Sequence, residues 1–331
     1  MVNRDINFSL WLDFVERDYL KNEFSALIEK GIINGATSNP SIFASAIITS
    51  PAYKEQLTQL TGKTPKEKYE ALAIEDIRTA AQALRSTYDE GNCGYISIEV
   101  DPFLSNDTQG TIEEGKRLFA AIGEPNVMVK VPATNAGYEA MEVLLAMGIS
   151  VNATLIFSPE QAKRCLKAMT AGIESFESDG GLRVAAMISV FVSRFDRLLD
   201  ADIAREGIDV SKTGIYNAAK IYNLIEKNHM PSIKTLFAST GVKGDALPAD
   251  YYIRELFAPH SVNTAPLATI EAYIAKKETA AKLPLEDSEI NGYFTRLSDS
   301  GFDMDEVYDT LLSDGLKAFE EAFQEMLDTL K

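Results

Sequence analysis

Short apolar runs alternate with longer stretches of helical periodicity along the whole chain. The runs predict strands at Phe8–Asp13, Gly35–Ser38, Tyr95–Val100, Val127–Val131, Ser150–Phe157, Val184–Val192, Thr235–Thr240 and His260–Asn263. Between them the 3.6-residue pattern predicts helices such as Tyr19–Lys30, Lys66–Glu90, Pro159–Glu177 and Ile215–Lys227. Ser158-Pro159-Glu160-Gln161 has the form of a helix start, with a Ser cap, Pro at the first helical position and Gln three residues beyond the cap. Strands separated by helices in this number predict an α/β fold closed into a parallel (β/α)8 TIM barrel rather than an open sheet. From about Glu286 onward the chain is helical, acidic and without a further strand, so additional C-terminal helices are expected to pack on the barrel. No Pro-, Gly- or Ser-rich linker interrupts the pattern, and residues 1–331 read as one domain.

The strand phases sharpen this. Parallel strands buried on both faces usually read as unbroken apolar runs, yet several here are half polar. Leu10, Leu12 and Phe14 oppose Ser9, Trp11 and Asp13. Ile96, Ile98 and Val100 oppose Tyr95, Ser97 and Glu99. Val151, Ala153 and Leu155 oppose Ser150, Asn152 and Thr154, and Ile188, Val190 and Val192 oppose Ser189 and Phe191. If the apolar faces meet the outer helices, Asp13, Glu99, Lys130, Asn152, Thr154 and Ser189 converge inside the barrel. Those nearest the strand ends then line its C-terminal mouth, where barrel enzymes keep their chemistry.

Lys130 is the most telling of these, set in Val127-Met128-Val129-Lys130-Val131-Pro132. Lysine is almost never fully buried unless paired or functional. Burial favours the neutral amine, which attacks carbonyls to form Schiff bases. An interior amine with two carboxylates meets the needs of class I aldol chemistry. The imine acts as electron sink, one carboxylate accepts the proton of the cleaved carbinol, and another shuttles protons through imine formation and hydrolysis. Asp13 and Glu99 are the candidates. The plainer alternatives are an ion-paired lysine at a strand end and carboxylates serving as caps.

Other polar residues have two readings each. Asn39, before Pro40, reads as a helix cap or as a donor to substrate hydroxyls. Asn152 and Thr154 share one strand face and fit either a hydroxyl or water site or a satisfied internal network. Arg194 and Arg197 follow the sixth strand, and Lys243 follows the seventh in Ser239-Thr240-Gly241-Val242-Lys243. Barrel enzymes often hold a phosphate near the last loops, which an Arg fork suits, although Arg197 reads better as a solvated surface charge.

Composition narrows the class. The chain is 46% hydrophobic and carries a net charge of −17, from 49 acidic and 32 basic residues. That excess disfavours nucleic acid or an anionic membrane as partner, and an anionic substrate needs a locally basic pocket. Cys93 and Cys165 are the only cysteines, which fits a reducing cytoplasm. The N-terminus shows no signal-peptide pattern, and the longest apolar run, near Val184–Val192, is roughly half a membrane span. Gly62-Lys63-Thr64 lacks the earlier glycine of a phosphate-binding loop, where Leu57 stands. His229 and His260 have no metal-ligand spacing, so neither metal nor cofactor is expected.

The segments Ser9–Asp13, Gly35–Phe43, Ser97–Asp101, Val129–Thr134, Asn152–Ser158, Ile188–Arg194 and Val262–Pro266, taken in order, resemble the transaldolase family over most of the chain. The resemblance implies a (β/α)8 barrel without cofactor, a cytoplasmic monomer or homodimer acting on sugar phosphates. It would move a dihydroxyacetone unit between sedoheptulose 7-phosphate or fructose 6-phosphate and glyceraldehyde 3-phosphate or erythrose 4-phosphate, in the pentose phosphate pathway. It makes Lys130 the Schiff-base lysine, Asp13 the acid/base of carbon–carbon cleavage, and Glu99 a carboxylate working through a water held by Thr154. Asn39, Asn152 and Ser189 would hold the dihydroxyacetone unit, and Arg194, with Ser239 nearby, the phosphate. Many members carry a second phosphate arginine two positions after the serine matching Ser239. Gly241 stands there, which leaves Lys243 as a substitute point charge. The alternatives are a fructose 6-phosphate aldolase releasing free dihydroxyacetone, against which the presence of Glu99 speaks, and a non-catalytic barrel scaffold.

Overall fold

In the computed structural model, which describes residues 1–276 and 280–331, eight parallel strands close into a barrel in chain order. They are β1 (Ser9–Asp13), β2 (Gly35–Thr37), β3 (Tyr95–Glu99), β4 (Val127–Pro132), β5 (Val151–Ile156), β6 (Ala186–Phe191), β7 (Ile233–Ala238) and β8 (Ser261–Ala265). The seam is closed by β8 on β1, pairing Trp11 with Thr264. All eight fall where the apolar runs place them, with β8 reaching two residues past Asn263.

The two faces of the strands do different things. Outward, Leu10, Leu12, Ile96 and Ile98 pack on helical residues such as Leu20, Phe24, Leu72 and Ile77. On the far side, Val129, Val151 and Ile188 pack on Met141, Leu144, Met169 and Ile221. Inward, Trp11, Met128, Met187, Leu236 and Val262 form an apolar plug. Two residues further along the same strands stand Asp13, Lys130, Ser189, Ala238 and Thr264, so alternation lays a mostly polar floor directly on the plug. Gly35 makes this possible beside Trp11, because a Cβ there would lie 2.4 Å from the indole.

Helix starts follow local chemistry. Ser158 caps the Pro159–Ser178 helix in the expected capping box, its Oγ accepting from Gln161 N while Gln161 Oε1 accepts from Ser158 N. The single helix expected over Lys66–Glu90 is instead two, Pro65–Ala83 and Arg85–Asp89, parted at the buried Leu84, whose ψ of −4° opens the turn. The phase expected for Leu155 also fails. Its φ is +59°, and the β5–β6 register shifts between Ala153 and Ile156. This bulge lets Ile156 join the outer core and sends Leu155 to the inner cluster with Phe157.

The expected C-terminal helices are Asp287–Asp299 and Met304–Thr329. The latter reaches over the barrel mouth, Phe323 packing edge-on against Tyr69, and Phe319 turning toward the interior. At Gly315 the helix passes close to the barrel, where a Cβ would sit 3.0 Å from Leu155 Cδ2 and 3.2 Å from Arg194 Nη1. Among the described residues no helix is long and apolar enough to cross a membrane.

Candidate active site

A cavity of about 200 Å³ opens at the C-terminal mouth above the apolar plug. Asp13 of β1, Thr37 of β2, Lys130 of β4, Thr154 of β5, Ser189 and Phe191 of β6, Ala238 of β7 and Thr264 of β8 form its floor and walls. Asn39, Ser41, Arg194 and Ser239 come from the loops and helix starts beyond the strands, and Phe319 from the C-terminal helix. Asp13 is the one acid in this lining, and Lys130 and Arg194 are its bases. In a chain of charge −17, two bases against one acid make this lining less negative than the chain as a whole.

Strand register brings the charged groups together. Glu99 pairs directly with Lys130 across β3 and β4, and Lys130 with Asn152 across β4 and β5. Lys130 Nζ lies 3.1 Å from Glu99 Oε2, donates to Ser38 O at 3.2 Å, and sits 5.6 Å from the centre of the Phe319 ring. Both partners of the ion pair are buried, Lys130 at 5% and Glu99 at 6% exposure, so water screens neither. Glu99 stands behind the lysine rather than in the cavity lining. Burial raises its carboxyl above the usual range, the Lys130 charge pulling the other way and Asp13 adding to the rise. Burial raises Asp13 likewise, opposed by Lys130 and by the Thr37 hydroxyl, which donates to Oδ1 at 2.7 Å. Two carboxyls that bind protons more readily than in water thus flank one amine.

The amide and hydroxyl candidates separate into two sets. Asn39 caps the Pro40–Thr49 helix as one of its two readings expects, Oδ1 accepting from Ile42 N at 3.0 Å, and the residue also lines the cavity. Asn152 is fully buried and outside the lining, its Nδ2 donating to Ser97 Oγ at 3.0 Å and its Oδ1 accepting from Ser189 Oγ at 2.6 Å. It holds Ser189, which does reach the cavity. Thr154 lines the cavity, with Oγ1 buried and lacking a protein hydrogen-bond partner.

At the outer end, Arg194 extends from the first turn of the Ser193–Ile203 helix and lies over the Phe191 ring at 5.2 Å. Burial, with Arg197 adding, lowers its pKa, and Asp314 opposes that. Ser239, at φ +55°, shares a 2.9 Å hydroxyl contact with Ser193. Lys243 is not brought to the site. It is exposed and outside the lining, as is Arg197. Sequence reasoning passed over Thr37, Ser41, Thr264, Phe191 and Phe319. The polar phase of β6 pointed to Phe191, and nothing local pointed to Phe319.

A parallel (β/α)8 barrel with a buried lysine between two carboxyls at its C-terminal mouth has the outline of a Schiff-base-forming enzyme. The family described as Transaldolase/Fructose-6-phosphate aldolase matches residues 10–330, and the chain belongs to it. A transaldolase of Campylobacter jejuni (strain RM1221) is 48% identical over 333 aligned residues, covering 98% of this chain and 99% of the relative. A transaldolase of Helicobacter pylori (strain Shi470) is 44% identical over 323 residues, covering 97% of this chain and 99% of that one.

Proposed function

We propose that this protein is a transaldolase, moving a dihydroxyacetone unit reversibly from sedoheptulose 7-phosphate or fructose 6-phosphate to glyceraldehyde 3-phosphate or erythrose 4-phosphate in the non-oxidative pentose phosphate pathway. The observation that carries this reading is the Lys130 amine on the cavity floor, in contact with Glu99 and facing a cavity that Asp13 also lines.

The chemistry follows from that arrangement. Glu99, whose neutral form burial favours, takes a proton from the lysine ammonium, and the free amine adds to the ketose carbonyl. Loss of water gives an imine that withdraws electrons as the bond between the third and fourth carbons breaks. Asp13 accepts the proton of the fourth-carbon hydroxyl, and the aldose phosphate leaves. The three-carbon carbanion stays on Lys130 until an acceptor aldehyde arrives, and Asp13 returns its proton to the new alkoxide. A water held between Glu99 and the unpartnered Thr154 hydroxyl serves imine formation and hydrolysis. Asn39 and Ser189 bind the hydroxyls of the three-carbon unit, with Asn152 behind Ser189. Arg194 and Ser239, near the positive end of the Ser193–Ile203 helix, receive the phosphate. A cytoplasmic monomer or homodimer completes this reading.

Borohydride reduction in the presence of fructose 6-phosphate should leave a mass adduct on Lys130; no adduct there under turnover conditions rejects the assignment. Release of glyceraldehyde 3-phosphate beyond one equivalent per enzyme should depend on erythrose 4-phosphate. Rapid turnover without any acceptor would instead identify an aldolase that frees dihydroxyacetone.

A further inference from the structure

We infer that Thr264 is a positioning residue for Asp13, acting through the hydroxyl of Thr37. The inference rests on the acid/base role proposed for Asp13. The three residues come from adjacent strands, Trp11 pairing with Thr264 across β1 and β8, and Asp13 with Thr37 across β1 and β2. Thr37 Oγ1 lies 2.7 Å from Asp13 Oδ1 and 2.7 Å from Thr264 Oγ1. Thr37 and Thr264 are both buried, at 3% and 4% exposure.

Proton counting fixes the direction of this chain. A hydroxyl has one hydrogen, and an ionised carboxylate only accepts. While Asp13 is ionised, Thr37 therefore gives its proton to Asp13, and Thr264 must give its own to Thr37. Each bond polarises the next. The chain occupies Oδ1 of Asp13 and leaves Oδ2 without a hydrogen bond among the described residues, as the oxygen that meets the substrate hydroxyl. Thr264 is itself held in place: its carbonyl accepts from Thr240 Oγ1 at 2.8 Å, and the same hydroxyl contacts Asn263 Oδ1 at 2.9 Å.

Among the described residues, the charged groups around Asp13 are Lys130 of β4, Glu99 of β3 behind it, and Arg194 across the cavity. Thr264 adds no charge to this set. It turns the Thr37 dipole toward Asp13 and thereby favours the ionised base that carbon–carbon cleavage needs. Without it the Thr37 hydroxyl is free to rotate, and Asp13 keeps its proton to higher pH.

The test is Thr264→Val, close in shape but lacking the hydroxyl, set beside Thr264→Ser, which restores it. In Thr264→Val the acid limb of the kcat profile should move up by roughly half a unit and kcat should fall ~10-fold at neutral pH. KM and the yield of borohydride adduct on Lys130 should stay as in the native protein, and Thr264→Ser should recover both limb and rate. Should Thr264→Val fail to fold, Thr264→Ala carries the same expectation. The Asp13 carboxyl, followed without substrate by infrared titration and assigned by its loss in Asp13→Asn, should titrate higher in the variant. That measurement stands apart from the transferase reading, which the native adduct and acceptor dependence test. An unmoved Asp13 titration and acid limb, or an equal loss in Thr264→Ser and Thr264→Val, overturns the inference.

Discussion

Lys130 Nζ and Glu99 Oε2 meet at 3.1 Å because β3 and β4 pair these two residues directly. The contact is set by strand register and not by a flexible loop, so the barrel backbone holds the two residues side by side. Replacing Glu99 with Gln keeps the shape and removes the proton acceptor. Imine formation, measured by rapid quench with borohydride, should slow ~10²-fold or more, while KM changes little.

Lys130→Ala and Lys130→Arg should both lose transfer and the adduct, because a guanidinium does not act as a nucleophile at neutral pH. Asp13→Asn should behave differently. It should still trap the ketose on Lys130, yet release of the aldose phosphate should fall by ~10²–10⁴. Mass spectrometry of the adduct beside a coupled aldose assay separates the two steps.

Arg194 offers a planar fork where lysine offers a point charge. Arg194→Lys should raise KM for fructose 6-phosphate ~10-fold and leave turnover of unphosphorylated fructose unchanged. An equal effect on both sugars would remove Arg194 from the phosphate site.

Asp196 gives a pH dependence outside the chemistry. Burial lifts its carboxyl from 3.8 to about 6, while Gly214 N, at 2.9 Å, and the Tyr252 hydroxyl, at 2.8 Å, oppose the rise. The folded chain holds this proton more tightly than the unfolded one. Its contribution to stability is therefore largest below pH 4 and is lost as pH climbs through 6. Asp196→Asn should abolish that fall, so the difference in Tm between variant and native protein should grow in favour of the variant across this window.

Gly35→Ala tests the plug beneath the site. The new methyl would lie 2.4 Å from the Trp11 ring, so strand or indole must move, at a cost of about 1–3 kcal/mol in urea unfolding.

Much of this architecture is written in the alternation of the strands. The phases of β1, β3, β4 and β6 put Asp13, Glu99, Lys130 and Ser189 on one inner surface, because a barrel interior inherits the two-residue period. Thr37 escaped notice because β2 spans only Gly35–Thr37, too short to display a phase. Thr264 escaped because the expected strand stopped at Asn263. Leu155 was misplaced because a bulge at a non-glycine residue leaves no mark on the apolar pattern. The place of Lys243 after β7 predicts it near the phosphate, yet the residue is exposed and outside the cavity lining. Phe319 lies far along the sequence, on an amphipathic helix whose docking side depends on tertiary packing alone.

Asn39 has a consequence of its own. One carboxamide closes a helix with its oxygen while its residue lines the cavity, so the same few atoms answer to two unrelated demands. Asp would satisfy the helix and place a negative charge toward an anionic guest. Ser would satisfy the helix and fall short of the guest, and Gln would reach the guest and abandon the helix. At most positions of an enzyme, robustness and catalysis are adjusted by different residues and drift independently. Here both demands fall on one residue, and of Asn, Asp, Ser and Gln only Asn meets the two together.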